Sequence, residues 1–389
     1  MTAGTDAMRG HSVWLRDCWY VIAWDHEIPA AGSPGLFTRT VLGEPILVYR
    51  RSDGGFVALQ DRCCHRLAPL SKGRREGDSI RCGYHGLKFD AQGICTEAPG
   101  MTDVPAKACV KTYPLALHRR WLFVWMGDPA KADVALLPDN FSNEHPLWQH
   151  KPGYLHYGTP YLLICDNLLD FSHLSYVHEK SLGGSAAIAQ AVPLIEKTLD
   201  AHGAQNGIKV TRRVTNVPAP PFYQRFRHFD EPLDRWFIYE FLLPGTLLMH
   251  SGGRPVSDAP DDLRRAVQLH SCQTLTPETD TTTHYFFQQS HRTDALDVEA
   301  FSGTATTTAT TRATTITDSI YASLVAAFEE DRDMITAQHR NILLDTQAPM
   351  LALAMDSALV QFRRLLAQRT QAYNSHPTQM PAGDKYAPH

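Results

Sequence analysis

Two short knuckles of cysteine and histidine constrain this 389-residue chain more than any other feature of its sequence. The first knuckle is Cys63-x-His65 and the second is Cys82-x-x-His85. Two thiolates and two imidazoles can bind zinc or iron, so the surrounding segment must form loops around a metal site. Zinc fingers usually place the two cysteines in one knuckle and the two histidines in the other, whereas each knuckle here has one of each. The mixed pattern favours a [2Fe–2S] cluster with the cysteines on one iron and the histidines on the other, and a zinc ribbon is the alternative.

The pattern of apolar runs divides the chain into two parts. From Trp14 to Trp125, short apolar runs alternate with turn residues, as is typical of antiparallel strands. We predict a small all-β domain at residues 14–135 and a second domain at residues 136–389. The second domain begins with a helical stretch at 162–180, continues as strand-like runs and ends in a long helix from about Asp318. Helices around a block of strands predict an α+β fold with an antiparallel sheet.

A threonine-rich run at residues 302–317 interrupts the second part. Its local bias predicts a solvated linker, with Asp318 as the N-cap of the last long helix.

Composition narrows the classes of function and location. Apolar residues are 43% and charged residues 20% of the chain, which is ordinary for a soluble protein with a sizeable core. A net charge of −4 argues against a broad nucleic-acid-binding surface. We identify neither an export signal nor an apolar segment long enough to span a bilayer. We therefore expect a cytoplasmic protein that binds neither nucleic acid nor membrane.

A second group of candidate ligands lies within the predicted helix at 162–180. Asn167, Asp170 and His173 are three residues apart and would share one helix face. His178 lies five residues after His173, about 140° further round a regular helix, so both imidazoles can meet one metal only if the helix bulges or breaks between them. Taken alone, two histidines in an apolar helix are more often core residues.

Together, the two groups resemble the Rieske non-haem iron oxygenases. The run Asn-x-x-Asp-x-x-His-x4-His resembles their mononuclear iron motif, and WYVIAW, VWMGDP and LTPETDTTTHYFF resemble the vanillate O-demethylase and dicamba monooxygenase subgroup. The resemblance implies a Rieske domain followed by a helix-grip-like catalytic domain. It also implies a [2Fe–2S] cluster held by Cys63, His65, Cys82 and His85. Cys64, where the family more often has proline, is interpreted as a non-ligand.

The resemblance further implies a mononuclear Fe(II) held by His173, His178 and a carboxylate, which we predict to be Asp331. An acid on an apolar helix face is costly to bury unless it is paired or metal-bound. Glu329, Glu330 and Asp333 fall off that face and are expected to be solvated. The apolar face consists of Leu324, Phe328, Asp331 and Ile335.

Two residues are given catalytic roles by the resemblance. It implies a ring-shaped homotrimer in which the cluster of one subunit faces the mononuclear iron of the next. Asp170 would connect the neighbouring subunit's His85 to His173 by hydrogen bonds. Asn167 is either a weak ligand or neighbour of the iron, or a plain hydrogen-bonding residue of the helix face.

The implied activity is hydroxylation, with O2, of a methyl or methoxy group of a substituted aromatic acid, as in O-demethylation. Ring hydroxylation, cis-dihydroxylation and N-demethylation are alternatives within the family, and an electron carrier or a zinc protein is the alternative outside it. The sequence has no Gly-x-Gly-x-x-Gly at a strand-to-helix junction, so electrons are expected from a separate NAD(P)H-dependent flavin and iron–sulfur reductase. Basic residues near the cluster form either its docking face or a solubilising surface: Arg66, Lys72, Arg74, Arg75 and Lys88.

The sequence also predicts residues that line the substrate cavity. Polar residues interrupt apolar strands at four positions that we expect to line it: His250, His270, Gln273 and Tyr285. For the two histidines a plain role on the sheet face is equally compatible with the sequence. Three arginines could bind a carboxylate, although exposed positions are favoured for each of them: Arg212, Arg213 and Arg225.

Overall fold

The N-terminal part of the computed structural model, which describes residues 14–178, 186–293 and 309–375, consists of antiparallel sheets. Three sheets have the orders β1–β10–β9, β2–β3–β4 and β5–β6–β7–β8. The predicted all-β character is confirmed. The strands are β1 (Cys18–Trp24), β2 (Phe37–Val41), β3 (Glu44–Arg50), β4 (Phe56–Gln60), β5 (Arg74–Glu76), β6 (Ser79–Arg81), β7 (Lys88–Phe89), β8 (Cys95–Glu97), β9 (Leu115–His118) and β10 (Trp121–Met126).

The remaining strands form one large antiparallel sheet, flanked by helices as predicted. Its order is β13–β14–β15–β16–β17–β18, and both β11 and β12 pair with β18. The strands are β11 (Trp148–Gln149), β12 (Gly153–Tyr157), β13 (Leu194–Leu199), β14 (Gln205–Val217), β15 (Leu233–Leu242), β16 (Thr246–Pro255), β17 (Val267–Thr279) and β18 (Thr282–Arg292). The helices are α1 (Tyr161–Leu169), α2 (Ala186–Gln190), α3 (Ala309–Leu344) and α4 (Ser357–Ser375).

Strand β10 explains how the large sheet meets the N-terminal sheets. All six of its residues are buried, because alternate side chains enter different cores. Leu122 and Val124 point into the N-terminal core, whereas Trp121 and Trp125 pack in a tryptophan-rich layer that also contains Cys272 of β17. The other face of the large sheet packs against the helices and forms the largest core of the described residues. The predicted boundary between residues 135 and 136 stays a prediction.

Helix α1 is shorter than predicted. It ends at Leu169, since Asp170 has extended backbone angles (φ −116°, ψ 94°) and its carboxylate accepts a hydrogen bond from the Ser172 amide at 2.9 Å. That contact caps a short 3-10 turn, Phe171–Ser175. Asn167 and His173 therefore do not share one helix. The 3-10 turn ends at Ser175, so the helix also breaks between His173 and His178, as predicted. Residues 179–180 lie outside the described residues.

Helix α3 begins earlier than predicted. It starts at Ala309, so the prediction of a linker is wrong for residues 309–317, while residues 302–308 lie outside the described residues. Asp318 lies inside the helix and accepts a hydrogen bond from Lys151 at 2.8 Å instead of capping the helix. Ile316 and Ile320 continue the apolar face of α3 onto the sheet, and this packing outweighs the weak helix propensity of threonine. None of the described helices has the length and apolarity that crossing a bilayer requires.

Candidate metal centres and substrate cavity

The two cysteine–histidine knuckles form loops with the same hydrogen-bond pattern. In the first loop the Leu67 amide donates to the Cys63 carbonyl at 2.9 Å, and in the second the Gly86 amide donates to the Cys82 carbonyl at 3.1 Å. The fifth residue of each loop has a left-handed backbone, with φ of 59° at Leu67 and 78° at Gly86. Two matching loops at the ends of neighbouring strand pairs thus present their side chains to one point.

These loops bring together the four predicted cluster ligands. The thiols of Cys63 and Cys82 are buried, and burial, with the neighbouring Cys82 thiol, raises the pKa of Cys63 to about 12. The rings of His65 and His85 lie with centroids 4.6 Å apart on the exposed side. Cys63 is buried like Cys82, whereas Cys64 is only partly buried. Two soft thiols behind two imidazoles are a donor set that fits a [2Fe–2S] cluster.

The second group meets between α3 and the turn after α1. The ligand atoms of His173, His178 and Asp331 lie within 4.8 Å of one another. Asp331 Oδ1 is 3.1 Å from His178 Nε2 and 3.5 Å from His173 Nε2, and the Asp331 side chain is 6% exposed. Two imidazoles and one carboxylate are the donor set of non-haem iron sites that leave positions open for O2. Asp331 is the acid that the sequence analysis selected, and the apolar face of α3 carries it inward as expected.

The outer nitrogen of each imidazole in this group is bonded to an oxygen. His173 Nδ1 contacts the Asp170 carbonyl at 2.5 Å, and His178 Nδ1 contacts Glu330 Oε2 at 2.8 Å. If each Nδ1 carries the proton, both Nε2 lone pairs point toward Asp331 and are available to a metal. From the sequence Glu330 is expected in solvent, because it follows the polar side of α3 and meets His178 only when distant segments of the chain pack together.

Electrostatics differ between the two imidazoles. Burial lowers the pKa of His173 and is only partly opposed by Asp331. Burial also opposes the charge of His178, but hydrogen bonds to Asp331 and Glu330 outweigh it and raise the pKa. The acidic neighbours thus favour a positive charge at this point of the structure, as a bound cation would supply.

Asn167 and Asp170 lie beside the group, and only the contacts of Asp170 differ from those expected. Asn167 Nδ2 donates to Asp331 Oδ1 at 2.9 Å, which fixes the carboxylate. The backbone carbonyl of Asp170, not its carboxylate, contacts His173, while the carboxylate bonds to Ser172 and lies 3.7 Å from Arg212. The connection from Asp170 to a neighbouring subunit stays a prediction.

A cavity of about 100 Å³ opens beside the three ligands. Its walls are mainly aromatic and aliphatic and come from the inner face of the large sheet, α1 and α3; they include Phe171, Phe222, Phe237, Leu324 and Phe328. The few polar side chains that line it beside the ligands are Asn167, Arg235, Ser251, Gln273 and Gln289. A small apolar cavity with few polar groups is typical of a site for a small organic molecule.

Of the four polar residues predicted to line this cavity, Gln273 does so. Tyr285 lies behind it and donates a hydrogen bond to its side-chain oxygen. For His250 and His270 the alternative of a plain role on the sheet face holds, since their rings stack with centroids 4.6 Å apart on the opposite face of the sheet. Strand alternation explains this: Met249 and Ser251 face the cavity, so His250 must face away.

The basic residues also differ from expectation. Arg212 is buried at 2% exposure and donates to the Ala191 carbonyl, so it is not on the surface; Arg213 is exposed, and the side chain of Arg225 lies outside the described residues. Near the cluster, the Arg75 side chain is 5% exposed and paired with Asp78. Arg66 and Lys72 are exposed and remain candidates for a docking face.

Comparisons with known proteins agree with the geometry. Residues 18–114 match the Rieske [2Fe-2S] domain, and residues 157–372 match the vanillate O-demethylase oxygenase C-terminal domain. The chain belongs to the Rieske non-haem iron oxygenases. This Rieske oxygenase is the oxygenase component of a monooxygenase, its cofactors are a [2Fe–2S] cluster and a mononuclear iron, and a separate reductase supplies its electrons.

Relatives of this Rieske oxygenase are similar over most of their length. It is 43% identical to the iron-sulfur subunit of a toluene-4-sulfonate monooxygenase system from Comamonas testosteroni, over 93% of this chain and 99% of the relative. It is 30% identical to a vanillate O-demethylase oxygenase subunit from a Pseudomonas strain, over 87% and 98%. The crystal structure of dicamba monooxygenase bound to dicamba has a TM-score of 0.77 at 26% identity, covering 94% of this chain and all of that one.

Proposed function

We propose that this oxygenase hydroxylates a methyl or methoxy group of a single-ring aromatic acid. The observation that carries the proposal is the small aromatic-walled cavity that contains His173, His178 and Asp331 in its lining. The relatives are named for toluene-4-sulfonate, vanillate and dicamba, which are aromatic acids with a methyl group on carbon or oxygen. A hydroxylated methoxy group collapses to formaldehyde and a phenol, which gives O-demethylation.

We assign the mononuclear Fe(II) to His173, His178 and Asp331, and the cluster to Cys63, His65, Cys82 and His85. When bound, the mononuclear iron supplies the oxygen-activating chemistry and the cluster supplies the electrons. Glu330 and the Asp170 carbonyl hold the two imidazoles in orientation, and Asn167 holds the carboxylate. Phe171, Phe237 and Phe328 exclude water and hold the substrate ring near these ligands.

We also propose a homotrimer in which one subunit's cluster faces the next subunit's mononuclear site. Two exposed regions support it. Leu67 and Tyr84, beside His65 and His85, are 67% and 63% exposed, and Tyr176, next to the iron ligands, is 80% exposed. Apolar side chains this exposed at both metal sites favour burial between copies of the chain. Sedimentation should give three chains per particle, and a fully active monomer would contradict the arrangement.

We also propose that the protein is located in the cytoplasm.

Product analysis tests the activity. The metal-loaded oxygenase, with a flavin and iron–sulfur reductase from a related system, is incubated with toluene-4-sulfonate and with 3- and 4-methoxybenzoate. We expect a benzylic alcohol from the first and formaldehyde from the methoxy acids, each with consumption of NAD(P)H and O2. The Asp331→Ala variant is the matched control for metal-dependent turnover. A cis-diol in place of these products would replace the proposal with ring dihydroxylation.

A further inference from the structure

The feature that no assigned role accounts for is a buried arginine at the wall of the substrate cavity. Arg235 lies on β15, is 6% exposed and lines the cavity. Its Nε is buried without a hydrogen-bond partner, and among the described residues no carboxylate pairs with it. Burying an unpaired guanidinium is expensive, because the charge loses its water without gaining an acceptor.

Four other buried arginines of the described chain differ from Arg235 in having an acidic partner. Each has side-chain exposure of 10% or less and lies within ion-pair distance of an acid: Arg39, Arg75, Arg212 and Arg363. Arg235 instead lies between two rings, with its guanidinium carbon 4.9 Å from the centroid of Tyr223 and 5.1 Å from that of Phe237. Such contacts stabilise the charge without using its N–H groups. The donors therefore remain available to a ligand in the cavity.

The neighbouring strand makes room for this side chain. Gly253 of β16 is directly opposite Arg235, and a Cβ there would lie 3.2 Å from Arg235 Cγ and 2.9 Å from the Tyr223 ring. Alanine at this position would therefore push on both residues. The absence of a side chain lets the arginine stem pass between strand and ring toward the cavity.

Strand register places Arg235 at the opposite end of the cavity from the metal ligands. Helix α3 runs along β18, because Phe328 packs against Phe287 and Thr317 lies against His291. Asp331 follows Phe328 by three residues and is therefore near the Phe287 end of β18. Residues that pair across neighbouring strands form a row perpendicular to the strands, and Phe237 lies in the same row as His291. Arg235 lies one further row away, about 7 Å beyond Phe237 along the strand.

We propose that Arg235 is the anchor for the acidic group of the substrate, binding an aromatic sulfonate or carboxylate through its guanidinium. A planar guanidinium pairs with two oxygens of such an anion, and the cavity excludes competing water. The ring then lies between Arg235 and the metal ligands, with the reacting methyl group at the far end. This inference rests on the proposed function for the nature of the substrate, and it favours acids with the methyl group para to the anion.

Binding measurements test the anchor without turnover. Dissociation constants are measured for the metal-loaded protein under nitrogen, without reductase, using toluene-4-sulfonate and its neutral near-isostere toluene-4-sulfonamide. We expect Arg235→Gln to weaken sulfonate binding about tenfold or more while sulfonamide binding is unchanged, because only the anion loses a charge-assisted pair. Arg235→Lys should restore part of the affinity. Arg213→Gln, an exposed arginine of β14, should alter neither constant.

Each other outcome overturns the anchor. An equal loss for both ligands would mean that Arg235 only shapes the cavity, and an unchanged sulfonate constant would mean that it does not contact the anion. Equal turnover of toluene-2-sulfonate and toluene-4-sulfonate would overturn the placement opposite the metal ligands, whereas the dissociation constants test the anchor itself. Because these constants need no product, a cis-diol in the activity assay would defeat the proposed function and leave the anchor standing.

Discussion

Glu330 offers the sharpest test of how the mononuclear site is built. Its carboxylate lies 2.8 Å from His178 Nδ1, and the His178 side chain is 2% exposed. We expect Glu330→Ala to weaken Fe(II) binding, because the imidazole loses the acceptor that fixes its orientation and tautomer. Loss of such a partner typically lowers metal affinity by about 10- to 100-fold.

The exposure of Glu330 decides where in that range the effect falls. Its side chain is 37% exposed, so water can replace part of the lost contact. We therefore expect about tenfold for Glu330→Ala, equivalent to about 1.4 kcal/mol, and a smaller loss for Glu330→Gln, which keeps an oxygen acceptor.

In the assay, protein that holds its cluster but no mononuclear iron competes with a chelator for Fe(II) under nitrogen. The absorbance of the cluster serves as an internal measure of folding. Glu329→Ala is the matched control, since Glu329 is 52% exposed and pairs only with Arg332 in the described contacts. An unchanged affinity in Glu330→Ala, or an equal loss in the control, would refute the reasoning.

Three further predictions follow from other parts of the structure. Asp331→Ala should lose the mononuclear iron and turnover but keep the cluster spectrum, whereas Asp333→Ala should keep both; iron analysis and absorbance check this. Asp170→Asn should keep both metals yet slow turnover about tenfold or more, measured as O2 uptake; full activity would contradict its role. Burial and the neighbouring His250 lower the pKa of His270 to about 3. Between about pH 3 and about pH 6.5, His270 is therefore protonated in the unfolded chain but not in the folded chain. Acid therefore lowers the free energy of unfolding by at most about 1.4 kcal/mol per pH unit through this group, and His270→Phe should flatten that slope in denaturant titrations; an unchanged slope would exclude it.

Much of the candidate site could be predicted because its determinants are local. The spacing of Cys63, His65, Cys82 and His85 lies within two loops, and the apolar face of α3 identifies Asp331 by its cost of burial. His173 and His178 are assigned by the resemblance of the run Asn-x-x-Asp-x-x-His-x4-His to the family's iron motif, because two histidines in an apolar helix are by themselves more often core residues. Local patterns of this kind survive folding because each depends on residues close together in the chain.

The predictions that failed depend on contacts between distant segments. Glu330 looks solvated on α3 alone, and only the arrival of His178 gives it a partner. The side of the sheet on which His250 lies depends on strand register, and a sequence of mixed polar and apolar residues specifies that register weakly. Arg212 looked like a surface residue until α2, which supplies a carbonyl oxygen, packed over it. Helix α1 ended early because the Asp170 side chain bonds to its own neighbour, a local signal that the periodicity of the segment concealed.

The contact between Asn167 and Asp331 joins positions 164 residues apart in the chain. A divalent ion bound by His173, His178 and Asp331 therefore ties the beginning of the large sheet domain to helix α3. A cross-link that closes a long loop restricts the unfolded chain strongly. Bound iron would therefore raise the free energy of unfolding as well as supply reactivity. A cell short of iron would then hold a less protease-resistant oxygenase, and the protein's lifetime would report on the metal supply.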